Sequence, residues 1–197
     1  RVHLEDQLDD ELAAYQRELL AAASIDEEVT RLNGVVTGVL DFARPIRFEL
    51  AEAHLAEICR SAAAAASAAS DDAAVAVDIA PDAETAQVVT DAERLRGVLV
   101  NVLTNAQHAV AGLSRENGPL ISLRLRRDDR HWRIDIVDRG PGVAPEDLAR
   151  VFEPFFTTKR AGSGLGLAIG RNVIEGLGGS ISMHSEPGRG ATVSVLL

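Results

Sequence analysis

Cysteine, aromatic residues and positive charge are all scarce in this chain of 197 residues. The single cysteine, Cys59, excludes an intramolecular disulfide, and its alanine-rich surroundings indicate a small core residue in a reducing compartment. Lysine and arginine together number 20 against 30 acidic residues, which gives a formal net charge of −10. Because nucleic-acid phosphates are bound by clustered basic surfaces, this balance predicts no nucleic-acid partner.

Long apolar runs and a leader pattern are also missing. No run approaches the roughly 18–20 apolar residues of a membrane-spanning helix, and the first residues do not form a signal-peptide pattern. We therefore expect no membrane contact within this chain and a cytoplasmic location. The sequence opens at Arg1, without methionine and inside a predicted helix, so we expect a fragment with room for a membrane anchor upstream.

The first predicted element is a long helix. Between residues 9 and 43 the apolar residues recur every three or four positions, from Leu12 to Phe42, and Pro45 ends the pattern. This narrow stripe is typical of a bundle or coiled-coil helix, which cannot bury its apolar side alone. We therefore expect a partner helix and a homodimer formed through this segment.

The remainder of the chain alternates between strand and helix patterns. The predicted strands are IRFEL, VAVDIA, QVVT, PLISLRLRRD, HWRIDIVD, SISMHS and ATVSVLL. The predicted helices are AHLAEICRSAAAAASAAS, a segment capped by Asp91 that runs to Val110, PEDLARVF, and a segment from about Leu165 to Leu177. This order predicts an α+β fold, a two-layer α/β sandwich whose mixed sheet carries helices on one face, preceded by the long helix.

The segment NVLTNAQHAV carries two asparagines on its predicted helix. Asn101 and Asn105 lie four residues apart, so they share one face. Asparagines on a helix usually face solvent, but the apolar residues between these two indicate a buried helix, where amides need partners. An amide oxygen is a suitable ligand for Mg²⁺, which also takes phosphate oxygens and water.

The segment DRGPG places Asp138 at the end of an apolar strand, before Gly140 and Gly142. Turn formation is the plain alternative for an aspartate before glycines. The functional interpretation uses the carboxylate as an acceptor for an exocyclic amine such as that of adenine. The glycines would let a flat base approach the backbone closely.

The segment FEPFFTTKRAGSGLGLAIG combines aromatic, basic and glycine residues. Alternating glycines before an apolar helix free backbone N–H groups to bind an anion, although a flexible loop is the alternative. Lys159 stands just upstream and is a candidate phosphate partner, with simple solvation as its alternative. Three of the five phenylalanines lie here and are predicted to clamp a closing lid onto the core. The glycines are Gly162, Gly164 and Gly166, and the phenylalanines are Phe152, Phe155 and Phe156.

The last candidate is Thr192 in GRGATVSVLL. Its hydroxyl is predicted to face the base or Asp138, whereas threonine in a strand is more commonly structural.

Taken together, these segments resemble the histidine-kinase branch of the Bergerat-fold ATPases, the superfamily shared with type II topoisomerases, Hsp90 and MutL. NVLTNAQHAV is similar to the asparagine box, DRGPG to the first glycine box, FEPFFTTK to the phenylalanine box and GSGLGL to the second glycine box. DFARP resembles the end of the second dimerisation helix in nitrogen-regulation-type kinases. The resemblance implies a partial dimerisation and histidine-phosphotransfer region at residues 1–45 and an ATP-binding catalytic domain at residues 46–197.

The resemblance also implies ATP and Mg²⁺ as cofactors. By it, Asn105 coordinates the Mg²⁺ that bridges the phosphates, and Asn101 polarises the reacting group. His108 matches a position that often contacts phosphate, with an exposed helical histidine as the alternative. Lys159 and the backbone of Gly162, Gly164, Leu165 and Gly166 would hold the phosphates.

For the base, the resemblance makes Asp138 the acceptor of the adenine amine. Gly140 and Gly142 line the base, and Thr192 lies below it. The implied activity is that of a protein-histidine kinase, which passes the γ-phosphoryl group of ATP to a histidine of the dimerisation domain. A response-regulator receiver domain, which takes the group on an aspartate, would be the next partner.

One feature departs from the family pattern. A phosphoacceptor histidine followed by an acidic residue and an Asn/Thr-Pro pair is missing, and only His3 offers a candidate. His3 lacks the proline and stands too close to DFARP for a full helical hairpin. We therefore expect the acceptor to lie before Arg1, with a naturally degenerate kinase as the alternative.

Three other classes stay open at this point. A topoisomerase- or chaperone-type ATPase generally lacks such a long helix and usually carries an acidic residue where Asn101 stands. An anti-sigma-type serine kinase also lacks the helix. A non-catalytic, nucleotide-responsive scaffold would use the helix for dimerisation, but it would not need every nucleotide position to be intact.

Overall fold

A computed structural model describes residues 29, 46–69, 74–114, 118–159 and 162–197. Its strands are β1 (Ala51–His54), β2 (Val75–Ile79), β3 (Gln87–Thr90), β4 (Ile121–Asp128), β5 (His131–Asp138), β6 (Ser180–Ser185) and β7 (Ala191–Leu196). Its helices are α1 (Leu55–Ala69), α2 (Ala92–Val110), α3 (Pro145–Leu148) and α4 (Gly166–Gly176), with a 3₁₀ turn at Pro81–Ala83.

The main sheet has five strands in the order β2-β4-β5-β7-β6. β2 runs parallel to β4, and the other neighbours are antiparallel, so the sheet is mixed as predicted. β1 and β3 form a separate antiparallel pair. Helices α1, α2 and α4 pack against one face of the main sheet, which confirms the predicted two-layer sandwich.

The core lies between α2 and the central strands. One face of α2 is fully buried through Leu95, Leu99 and Leu103, which pack on apolar side chains of β4 and β5. Burial of each such leucine stabilises the fold by about 1.5–3 kcal/mol relative to exposure. Cys59 belongs to this core, and burial raises the pKa of its thiol to about 12, as expected for a small core residue.

Most predicted elements after Pro45 are confirmed, but two are not. The predicted strand IRFEL is wrong, because residues 46–50 form no regular structure and β1 begins only at Ala51. The segment PEDLARVF is helical over Pro145–Leu148 alone. The predicted long helix at residues 9–43 lies outside the described residues, apart from Val29, which is helical.

Contacts with the helices, rather than pairing with a strand, hold residues 46–50 in place. The backbone N–H of Glu49 donates to Oδ2 of Asp91 at 3.0 Å. Asp91 also caps α2, since its Oδ1 accepts from the backbone N–H of Arg94 at 3.0 Å. Phe48 packs at the end of α4, where a Cβ on Gly176 would lie 2.5 Å from its ring. The Asp91 carboxylate therefore links residues 46–50 to the start of α2.

Desolvation by burial acts to raise the pKa of Asp91, but hydrogen bonds from the backbone of Arg94, Glu49 and Glu93, with the charge of Arg94, hold it below its ordinary value. Its ionised form consequently stabilises the fold above the ordinary aspartate pKa. That contribution is lost as the pH falls through the lowered pKa.

We predict that Asp91→Ala lowers the free energy of unfolding by about 1–3 kcal/mol, because it removes a helix cap and a second buried acceptor. Asp91→Asn should cost less, since its amide oxygen can still cap α2 while its amide nitrogen cannot accept from Glu49. Urea unfolding at pH 7 measures both variants. An unchanged urea midpoint for Asp91→Ala would show that the hydrogen bonds of Asp91 to Glu49 and Arg94 do not stabilise the fold.

Candidate functional site

A polar stripe on α2 forms one wall of the site. Asn101, Asn105 and His108 lie on the helix face opposite the buried leucines, as their spacing predicts. The two asparagines are half-buried and His108 is exposed. The amide of Asn101 contacts the start of α4, where a Cβ on Gly166 would lie 2.5 Å from its Oδ1. A residue larger than glycine at position 166 would displace the Asn101 amide.

Asp138 forms the second wall at the end of β5. Its side chain is buried, and its Oδ1 accepts from the backbone N–H of Gly140 at 2.8 Å and of Ala191 at 3.3 Å. Among the described residues Oδ2 accepts no hydrogen bond. The backbone therefore fixes the carboxylate through one oxygen and leaves the other for a ligand.

Gly140 and Gly142 are required by close packing at this turn. A Cβ on Gly140 would lie 2.8 Å from Oδ1 of Asp138 and 2.9 Å from Cβ of Ala109 on α2. Gly142 adopts φ +75°, and a Cβ at this position would overlap the backbone carbonyl of Glu186. A side chain at Gly140 would push the turn away from α2, and one at Gly142 would push it away from Glu186.

Lys159 contacts the α2 wall and is coupled by its charge to Asp138. Its Nζ donates to Oδ1 of Asn105 at 2.9 Å and lies 3.5 Å from Nδ1 of His108. Burial lowers the pKa of Lys159, while the charge of Asp138 acts to raise it. Asn105, His108, Lys159 and Asp138 therefore share one electrostatic environment.

Burial also sets the direction of the other two pKa shifts. It raises the pKa of Asp138, against hydrogen bonds from Gly140 and Ala191 and the charge of Lys159. It lowers the pKa of His108, and the ammonium of Lys159 adds to this effect. Both effects favour the neutral form of His108, which offers a ring nitrogen rather than a charge.

The glycine-rich loop comprises residues 157–159 and 162–165 of the described chain. Thr157 Oγ1 accepts from the backbone N–H of Lys159 at 3.1 Å, and the N–H of Gly162 donates to the Lys159 carbonyl at 3.3 Å. Gly164, at φ +67°, lies so close to Phe155 that a Cβ would stand 2.5 Å from its carbonyl carbon. These contacts close the base of the loop beside Asn105.

The start of α4 adds backbone donors. Leu165 precedes the helix with its side chain buried, and Ser163 Oγ accepts from its N–H at 3.4 Å, but among the described residues no side chain accepts from the N–H groups of the first helical turn itself. The first N–H groups of a helix need an external partner, and they favour an anion. Gly166 begins this helix beside Asn101, so these donors face the polar stripe.

The three phenylalanines do not act alike. Phe152 and Phe156 are half-buried beneath Arg171 and Arg150, whose guanidinium carbons lie 6.0 and 4.5 Å from the ring centroids. Phe155 is 57% exposed and has φ +67°. The prediction that all three clamp the loop onto the core is therefore wrong for Phe155.

Thr192 is a second correction. The register pairs Asp138 with Ala191 and Val137 with Thr192. Because paired residues share a face and neighbours alternate, Thr192 lies on the opposite side of the sheet from Asp138. Ala191 is the residue beside the carboxylate, and it acts through its backbone N–H. Sequence reasoning missed it, since alanine carries no chemical signal.

A groove between α2 and α4 was also not predicted. It has a volume of about 450 Å³ and is bordered by Asn101 and Gly166 at the site. The isolated glycine Gly97 inside the α2 pattern was the available signal. The remaining lining residues are Glu93, Arg94, Val98, Ile169, Gly170 and Val173.

The donor set fits a metal that is shared with a ligand. The described residues contain no cluster of three or more His, Cys, Asp or Glu that could cage a metal ion. Mg²⁺ instead commonly takes one or two protein oxygens and completes its shell with phosphates and water. Oδ1 of Asn105 already accepts from a cation, the ammonium of Lys159, so it is suited to that use.

Comparison with known proteins identifies the class. A sequence model of the histidine kinase-, DNA gyrase B- and HSP90-like ATPases matches residues 90–197, more than half of the chain. The chain therefore belongs to this ATPase family.

Individual relatives narrow the assignment. Sensor histidine kinase ZraS of Klebsiella oxytoca is 32% identical over 184 residues, which are 93% of this chain and 38% of that protein. The mycobacterial sensor histidine kinase MprB has a TM-score of 0.62 and 29% identity, over 75% of this chain and 96% of that one. Full-length ShkA in complex with AMPPNP has a TM-score of 0.66 and 30% identity, over 84% of this chain and 35% of that one.

Within the family, the chain corresponds to the ATP-binding catalytic region of sensor histidine kinases, as the resemblance of its motifs implied. It spans 38% of the length of the ZraS relative. None of the helices in the described ranges is long and apolar enough to cross a bilayer.

We predict that Asp138→Asn weakens ATP binding at least about tenfold, because the loss of a hydrogen bond to a charged group costs about 1.5–3 kcal/mol. Folding should not suffer at pH 7. Burial raises the Asp138 pKa, so its ionisation destabilises the folded state as the pH rises through that value, and asparagine does not ionise.

Thr192→Val is the matched control, since it removes a polar group from the other face of the sheet. Calorimetric titration with ATP and urea unfolding at pH 7 measure the variants. The assignment of Asp138 to the base would be wrong if Asp138→Asn left affinity unchanged, or if Thr192→Val weakened it equally.

Proposed function

We propose that this chain binds Mg-ATP between α2, the end of β5 and the glycine-rich loop, and presents the γ-phosphoryl group to a histidine. The observation that carries the proposal is the convergence of Asn105, Lys159 and Asp138. They come from a helix, a loop and a strand end, yet Lys159 contacts Asn105 and is coupled electrostatically to Asp138. Each has the chemistry that a different part of the nucleotide requires.

The base end of the ligand is assigned to Asp138. Its free Oδ2 is an acceptor for the adenine amine, and the tight turn at Gly140 and Gly142 holds the carboxylate in place. Burial makes this hydrogen bond stronger than it would be in water. Guanine carries a carbonyl oxygen where adenine carries the amine, so a carboxylate acceptor favours adenine.

The phosphates are assigned to the opposite end. Lys159 supplies a positive charge, and the uncapped first turn of α4 supplies backbone donors. Oδ1 of Asn105 would hold Mg²⁺, which when bound neutralises phosphate charge. Asn101 would polarise the reacting group from its place beside Gly166.

The reaction requires little covalent chemistry from the protein. A nitrogen of the acceptor histidine bonds to the γ-phosphorus as the bond to the β,γ-bridging oxygen breaks, and ADP leaves. Positioning and charge neutralisation therefore account for most of the catalysis. The acceptor histidine is assigned to a dimerisation domain of two chains, and an aspartate of a response-regulator receiver domain is the next acceptor.

We predict that Asn105→Ala weakens Mg-ATP binding by about tenfold or more and changes metal-free ATP binding less, because it removes a metal ligand. Asn172→Ala on α4 is the matched control, since it removes the same side chain from two turns beyond the site. Calorimetry with magnesium and with EDTA gives both affinities. Equal losses in the two conditions would contradict the metal assignment.

The same variants test phosphoryl transfer. With γ-labelled ATP and an added dimerisation hairpin that carries an acceptor histidine, the wild-type chain and Asn172→Ala should produce acid-labile phosphohistidine, and Asn105→Ala should not. Tight ATP binding without any transfer to such a hairpin would point to a nucleotide-responsive scaffold instead.

A further inference from the structure

Lys159 is an exception in the composition of this chain. Of the 20 lysine and arginine residues, it is the only lysine. Arginine presents a broad, planar fork of donors, whereas the lysine ammonium is a compact point charge on a flexible four-carbon stem. All the remaining residues of this group are arginines, so the single compact cation of the chain lies beside Asn105.

The contact itself is with the oxygen assigned to the metal. Nζ of Lys159 donates to Oδ1 of Asn105 at 2.9 Å, within the range of a strong charge-assisted hydrogen bond. A metal ion on that oxygen would stand only a few ångströms from the ammonium. Two cations at such a separation repel each other, and a divalent ion repels the ammonium more strongly than a monovalent ion would. The two cations therefore exclude one another.

The backbone allows the side chain to leave. The N–H of Lys159 is held by Thr157 Oγ1, and its carbonyl accepts from Gly162, so the main chain is fixed on both sides of the residue. The residue as a whole is exposed. A change of side-chain rotamers is then enough to swing the ammonium from Asn105 toward a phosphate.

We propose that Lys159 is a stand-in cation for magnesium. In the nucleotide-free chain its ammonium occupies the metal position on Asn105, and arrival of a magnesium nucleotide moves it onto the phosphates. Without magnesium it stays and neutralises part of the phosphate charge itself. This inference rests on the proposed function, because it assumes that nucleotide phosphates bind beside Asn105.

The test compares ADP affinity with magnesium and with EDTA in the wild type and in Lys159→Met, which keeps the length of the side chain and removes its charge. Metal-free affinity should fall about tenfold in the variant, the cost of one charge-assisted hydrogen bond. Affinity with magnesium should change less than about threefold, because the lost phosphate contact is offset by the lost competition. The magnesium stimulation, which is the ratio of ADP affinity with magnesium to ADP affinity with EDTA, is therefore larger in the variant than in the wild type.

Arg124→Met is the matched control. It removes the same charge from an exposed position of β4 whose neighbours Leu123 and Leu125 point to the core, so it faces away from the site. Its magnesium stimulation should equal that of the wild type. Equal stimulation in Lys159→Met and the wild type would overturn the stand-in role alone. A wild-type chain that binds no ADP in either condition would overturn the proposed function with it.

A second measurement does not depend on affinity. Because the sequence has one lysine, ¹³C-lysine labelling gives an NMR signal from Lys159 only. In the free protein its ε-methylene signal should differ between the wild type and Asn105→Ala, and Mg-ADP should shift the wild-type signal. Identical free-state signals in the wild type, Asn105→Ala and Asn172→Ala would show that the ammonium does not rest on Asn105.

Discussion

The structure depends on α2 having two opposite faces with different tasks. Leu95, Leu99 and Leu103 anchor one face in the core, and the period of the helix then forces Asn101 and Asn105 onto the other. The same burial that stabilises the sandwich thus fixes the direction of the Asn105 amide, which we propose as the metal ligand. A rotation of the helix by about half a turn would bury the asparagines and expose the leucines, so core packing and site geometry are fixed together.

Burial of Asp138 at the site lowers the stability of the fold. A buried carboxylate is unfavourable, and it is retained because two backbone N–H groups satisfy one oxygen while the other stays available. Lys159 eases the same cost from across the cleft. Stability is thus reduced locally where ligand recognition requires it.

The sequence was sufficient wherever a local rule applied. Period-two alternation placed the sheet strands, and Asp91 located the start of α2 correctly. It failed where partners distant in the chain decide the outcome. Whether Ala191 or Thr192 faces Asp138 depends on the register of β7 against β5, which no local pattern encodes. The sequence of residues 46–50 resembles a strand, but contacts of Glu49 with Asp91 and of Phe48 with Gly176 hold this segment instead.

The most direct test is a crystal structure of the chain with Mg²⁺ and a non-hydrolysable ATP analogue. The account predicts the adenine amine within hydrogen-bond distance of Oδ2 of Asp138, the metal on Oδ1 of Asn105, and Nζ of Lys159 on a phosphate oxygen. Nucleotide bound elsewhere, or bound here with Lys159 still on Asn105 and no metal between them, would contradict it.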